Sequence, residues 1–146
     1  MATMSVFEPV NPPSLGDPRG FNHGLLAPPG WRLLFVAGQT ATTITGEVVD
    51  RAFVSQFAEA LRKTLEVVHA AGGGPEHVAR MTVYVTDIDA YRDSRSHLSA
   101  VWREHMGRFY PAMAVVEVSR LVDVDATVEI EATAVLPAHV EHENHG

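Results

Sequence analysis

The sequence predicts a two-layer α+β domain in which two helices cover one face of a mixed sheet. Three observations carry this. Apolar residues recur at helical spacing in two segments. Alternating or continuously apolar β-rich runs lie before, between and after them. Those runs are apolar on both parities, more surface than two helices can cover, so a second copy of the chain is expected over the remaining sheet face.

The elements follow in order. Residues 1–19 hold Pro9, Pro12, Pro13, Pro18 and Gly16, which reads as an N-terminal arm, with Val6 and Phe7 as a short edge strand. Gly24–Ala27 and Arg32–Ala37 flank Pro28-Pro29-Gly30, which predicts a hairpin. The second run is continuously apolar, as for a central strand covered on both faces. Thr40–Val49 reads as a loop with a small hairpin at Thr45-Gly46. Asp50 is the expected N-cap of a helix with the stripe Phe53, Phe57, Leu61, Leu65 and Val68, stopped by Gly72-Gly73-Gly74. Met81–Thr86 alternates as a strand. Asp87 or Asp89 caps a second helix with the stripe Tyr91, Ser94, Leu98, Val101, Trp102 and His105, stopped by Gly107. Ala112–Val118 and Ala126–Leu136 close the sheet. Residues 20–137 thus form one domain, and 138–146 a polar tail.

Composition excludes several chemistries. The 146 residues contain no cysteine, so disulfides, thiolate nucleophiles and Cys-based zinc sites are out. Eleven Lys and Arg against eighteen Asp and Glu give a net charge of −7. With no basic run interleaved with aromatics, nucleic acid is not an expected partner. No apolar run approaches a membrane span, and Met1–Pro13 carries no secretory pattern, so the expectation is a cytoplasmic protein without a membrane partner.

Few residues suggest chemistry. Gly72-Gly73-Gly74 follows a helix rather than a strand and reads as a stop, not a phosphate cradle. Ser94, Ser96 and Ser99 read as solvated. His139, His142 and His145 have a spacing that could gather a divalent cation on a helix, but a solvated tail is the favoured reading, so no metal is expected. Glu129 and Glu131 share one face of the last strand. A half-buried carboxylate there has raised proton affinity and can activate water; an ion pair at a subunit boundary fits equally.

Five strings in order carry a resemblance: Leu33–Gln39, Thr45–Val48, Val83–Asp87, Pro111-Ala112 with Val116–Leu121, and Val128–Ala132. Over Gly20–Pro137 the chain resembles the reactive-intermediate deaminase family (RidA or YjgF), also called endoribonuclease L-PSP. The resemblance implies a chorismate-mutase-like (bacillus-type) fold, a homotrimeric barrel with helices outside, and small-molecule clefts between subunits. It implies enamine or imine deamination, or a related hydrolysis, with no cofactor or metal. It assigns water positioning to Glu129 and substrate orientation to Gly38, Gln39 and the Val115 amide. Where the family carries an arginine after Pro-Ala, this chain has Met113, and the early turn reads Gly20-Phe21-Asn22-His23. Arg95 could replace the missing cation from the second helix, Asn22 and His23 are further cleft candidates, and Arg120 reads as a cross-subunit structural residue. A trimeric binder without catalysis is the alternative.

Overall fold

The computed structural model describes residues 5–139. Strand β1 (Glu8–Val10) pairs antiparallel with β2 (Gly24–Leu26) as a two-stranded sheet. The main sheet holds β3 (Arg32–Gln39), β4 (Val78–Val85), β5 (Ala112–Glu117) and β6 (Val128–Leu136), in the order β3-β6-β4-β5. β6 runs antiparallel to both neighbours, and β4 and β5 are parallel. Helix α1 (Phe53–Ala70) lies on β3 and β6. Helices α2 (Ile88–Asp93) and α3 (Arg95–Met106) make the crossover between β4 and β5. The expected α+β layering holds.

Helix α1 forms because its apolar stripe meets the sheet. Phe57, Leu61, Leu65 and Val68 are buried against Val83, Val128, Ile130 and their neighbours. Leu98, Trp102 and Met106 add the α3 side of the same core. A fully buried amide ties layer to loop: Gln56 Nε2 donates to the Asp125 carbonyl at 3.1 Å, and Thr127 N donates to Gln56 Oε1 at 2.8 Å. Gly72 (φ +89°) ends α1 in the left-handed region. Next to it, a Cβ on Gly73 would come within 2.7 Å of Leu136 Cδ2 and 3.1 Å of Val68 Cγ1, so a larger residue there would have to push these side chains aside.

Five expectations change. The short strand expected at Val6 and Phe7 lies instead at Glu8–Val10. The predicted hairpin does not form. Two prolines and Gly30 turn the chain, but β2 pairs with β1 in the arm, and β3 pairs with β6, with Arg32 opposite Leu136. β3 is therefore an edge strand, not a central one. Its Leu34 and Val36 face α1, while Leu33 (62% exposed) and Phe35 (76% exposed) stand uncovered on the other face. The second helix is two helices: Ser94 leaves helical geometry (φ −99°, ψ 6°), and the chain restarts at Arg95. Asp50 is not the N-cap of α1. That residue is Ala52, whose N–H donates to Asp50 Oδ1 at 2.8 Å. Asp87, by contrast, caps α2 by accepting from Asp89 N and Ala90 N. Among the described residues, no helix is long and apolar enough to cross a membrane.

Candidate functional site

The sheet register sorts the candidate residues. Glu129 sits opposite Tyr84, and Tyr84 opposite Val116, so these three share the face away from the helices. Met113 sits opposite Met81, and Met81 opposite Ala132, on the helix face. The carboxylate and the methionine are therefore on opposite sides of one sheet, and no cavity within a single chain can hold both.

On the open face, Tyr84 Oη donates to Glu131 Oε1 at 2.7 Å. Among the described residues, no group donates to the Glu129 carboxylate. It lies against the bare Cα of Gly38, where an added Cβ would meet Glu129 Oε1 at 2.6 Å. Partial burial raises its proton affinity above the ordinary carboxylate range, and the nearby Asp123 and Glu131 charges push the same way. Asp123 is fixed by Thr40 Oγ1, and the Thr40–Thr42 backbone by Lys63 Nζ from α1. Gln39 turns its amide back to the Ala37 carbonyl at 3.1 Å. Among the described residues, the last strand thus presents one carboxylate with a hydroxyl partner and one with none.

On the helix face, a groove of about 970 Å³ runs between the arm, α2, α3 and β5. Met113, Val115, Leu98 and Trp102 make its apolar floor, and Phe21 and Tyr110 its aromatic walls. Trp102 stacks on Tyr110 with ring centroids 6.0 Å apart and planes within 8°. Its rim carries Arg19, Arg95, Arg103 and Arg108 and no acidic residue. These are four of the chain's eleven Lys and Arg, and among the described residues none of the four is in an ion pair.

Arg95, Met113 and Val115 thus line one groove, while Gly38, Gln39 and Glu129 do not line it. Asn22 and His23 do not line it. Asn22 accepts from Asn11 Nδ2 at 2.9 Å and donates to the Tyr110 carbonyl at 2.7 Å, a clasp holding the arm beside β5. His23 N donates to Asn11 Oδ1, and its Nε2 bonds the Gly16 carbonyl at 3.1 Å. Arg120 is exposed and makes no ion pair among the described residues. Arg32 Nη1 donates to His139 Nε2 at 3.1 Å, and His142 and His145 lie outside the described residues. The sequence has no basic run interleaved with aromatics, yet separate segments bring four arginines and the aromatic walls to one place. Arg19, Arg103 and Arg108 were missed, although one signal was available. Arg95 and Arg103 have no carboxylate three or four residues away on their helix. Arg62 has Glu59 and Glu66 at those spacings and binds both.

This sheet, with helices on one side only, belongs to the YjgF/L-PSP fold class. A Rid-family protein of unknown function from Yersinia pestis superposes with a TM-score of 0.76 at 28% identity, covering 90% of this chain and 99% of that one. Escherichia coli TdcF with bound serine matches with a TM-score of 0.63 at 28% identity, covering 84% and 92%. The family model described as Endoribonuclease L-PSP matches residues 25–136, and the chain belongs to that family, known also as RidA or YjgF. A RutC family protein of Pyrococcus horikoshii is 35% identical over 69% of this chain and 77% of its own length. The 2-iminobutanoate/2-iminopropanoate deaminase of Escherichia coli is 35% identical over 62% and 69%.

Proposed function

We propose that this chain is a homotrimeric, cytoplasmic imine or enamine hydrolase that releases ammonia and a keto acid from a small amino-acid-derived metabolite. The observation that carries the reading is Glu129: a half-buried carboxylate with raised proton affinity, without a hydrogen-bond partner among the described residues, held against Gly38. Such a group takes a proton from water as the oxygen adds to the imine carbon, giving a carbinolamine. On a protonated imine that addition leaves the carbinolamine neutral; Glu129 then returns its proton to nitrogen, the C–N bond breaks, and the hydroxyl proton passes to the departing ammonia, leaving C=O and ammonium. The groove's arginines supply the cation that a carboxylate-bearing substrate requires. The opposite placement of Glu129 and Met113 favours a site completed by a second copy, and exposed Leu33 and Phe35 offer the apolar face for it. The Escherichia coli relative's name, an imino-acid deaminase, supports the reaction class.

Imines generated in situ by an amino-acid oxidase test this. The chain is expected to accelerate ammonia release over buffer for at least one imine, and Glu129→Gln to reduce that by about 10²-fold or more. No acceleration with any imine would leave the second reading, a trimeric small-molecule binder without catalysis. The observation favouring it is Met113, an apolar residue where the family carries its arginine.

A further inference from the structure

The groove's chemistry specifies more than an anion. Its cations do not sit on the floor. Arg95, Ser99 and Arg103 follow one another at intervals of four along α3, a row roughly 12 Å long. Arg108 continues it beyond Gly107, and Arg19 faces in from the arm. The floor between them is apolar where Met113, Val115, Leu98 and Trp102 meet, and Tyr110 closes one wall by stacking on Trp102. A floor guanidinium would hold a carboxylate low and leave little apolar contact. A methionine there, with guanidiniums around the rim, leaves the depth of the groove to a hydrocarbon body and the mouth to a charge.

We propose that the groove selects 2-imino and 2-keto acids with a large apolar, preferably aromatic, side chain. Arg95 and its neighbours hold the carboxylate, and the Met113 floor takes the ring. The proposal rests on the imine-hydrolase reading and names its substrate class; it makes the three- and four-carbon imino acids poor ligands of this chain. The cost of a mismatch is asymmetric. A short imino acid leaves Met113 and Trp102 in contact with water, whereas an aromatic one covers them.

Stable keto acids separate binding from catalysis. In calorimetric titrations, phenylpyruvate is expected to bind at least tenfold more tightly than pyruvate. Arg95→Gln, an exposed position that leaves the core untouched, should weaken phenylpyruvate at least tenfold and flatten its salt dependence. Met113→Arg should reverse the preference in favour of pyruvate. If that variant does not fold, Met113→Gln should weaken phenylpyruvate alone. Equal affinities for the two keto acids, a preference for pyruvate, or an unchanged affinity in Arg95→Gln would overturn the proposal. So would tighter binding of a nucleoside monophosphate, which would make the cations and stacked aromatics a nucleotide site. Selective binding of phenylpyruvate without hydrolysis of any imine would refute the hydrolase and keep the selectivity. Hydrolysis of short imines without phenylpyruvate binding would do the reverse.

Discussion

The two faces of the sheet carry opposite chemistry. The helix face holds the core and, at its β5 end, an arginine-rimmed groove with a methionine floor. The open face holds Glu129 and Glu131 among exposed apolar side chains, with Asp123 close by. Among the described residues, the groove holds cations and no carboxylate, and the open face holds the Glu129 carboxylate with no hydrogen-bond donor beside it. The proposed site follows from this difference: one face is given to the chain's own core, and the other is left for a neighbouring copy, so that one chain's carboxylate would meet another chain's groove.

The largest break in this comparison comes from removing the neighbour. Phe35→Asp puts a charge on the most exposed aromatic of β3 without touching the α1 side. It should weaken self-association by a factor on the order of 10² or more, since burying such a side chain contributes about 1.5–3 kcal/mol and burying a charge adds to the loss. Light scattering would then report monomers, and imine hydrolysis should fall with the assembled fraction. Full activity in a monomeric variant would mean one chain suffices.

A smaller effect sharpens the open-face half. Gly38→Ala forces the Glu129 carboxylate aside, because the new Cβ would lie 2.6 Å from Oε1, at the end of a side chain that can move. The fold should survive, with an unchanged melting temperature, while kcat drops by about tenfold and keto-acid affinity holds. Loss of affinity with kcat preserved would move Gly38 from positioning Glu129 to holding the ligand.

The smallest effect is thermodynamic. The folded chain raises the proton affinity of Glu129, so the folded state binds its proton more strongly than the unfolded state does. The associated stability is present below the ordinary carboxylate pKa and is lost as pH rises through the folded value. At pH 7 to 8, Glu129→Gln should therefore be slightly more stable than the parent, by under about 1 kcal/mol given its partial exposure. The difference should vanish towards pH 4 in denaturant titrations. A variant less stable at every pH would make Glu129 a structural residue.

Local periodicity made both helical layers and the alternation of β6 legible, because each α1 or β6 residue answers to neighbours one turn or two residues away. Long-range pairing was not legible. Nothing local in Arg32–Ala37 says that its partner lies at Ala132–Leu136 rather than across Pro28-Pro29, so the hairpin was misread. The break at Ser94 was equally hidden, since Tyr91, Leu98 and Trp102 keep one apolar face on both sides of it. For the site, Glu129 and Gly38 came from matched strings, Met113 from a departure beside one, and Arg95 from the search for a cation to replace the missing arginine. Arg19, Arg103 and Arg108 did not, because an exposed arginine reads as solvated until the fold shows what it rims. The clasping role of Asn22 was misjudged for the same reason: its partners are Asn11 and the Tyr110 carbonyl, distant in sequence.

Mixed oligomers of Glu129→Gln and Arg95→Gln test most directly whether one copy's acid serves another copy's groove. At imine concentrations well below saturation, each variant alone should be at least tenfold less active than the parent. Co-refolded in equal amounts, about a quarter of the interfaces then unite a wild-type Glu129 from one copy with a wild-type Arg95 from its neighbour. Recovery of activity near that fraction is the predicted result. Mixed oligomers that form but stay as inactive as their parents would contradict it.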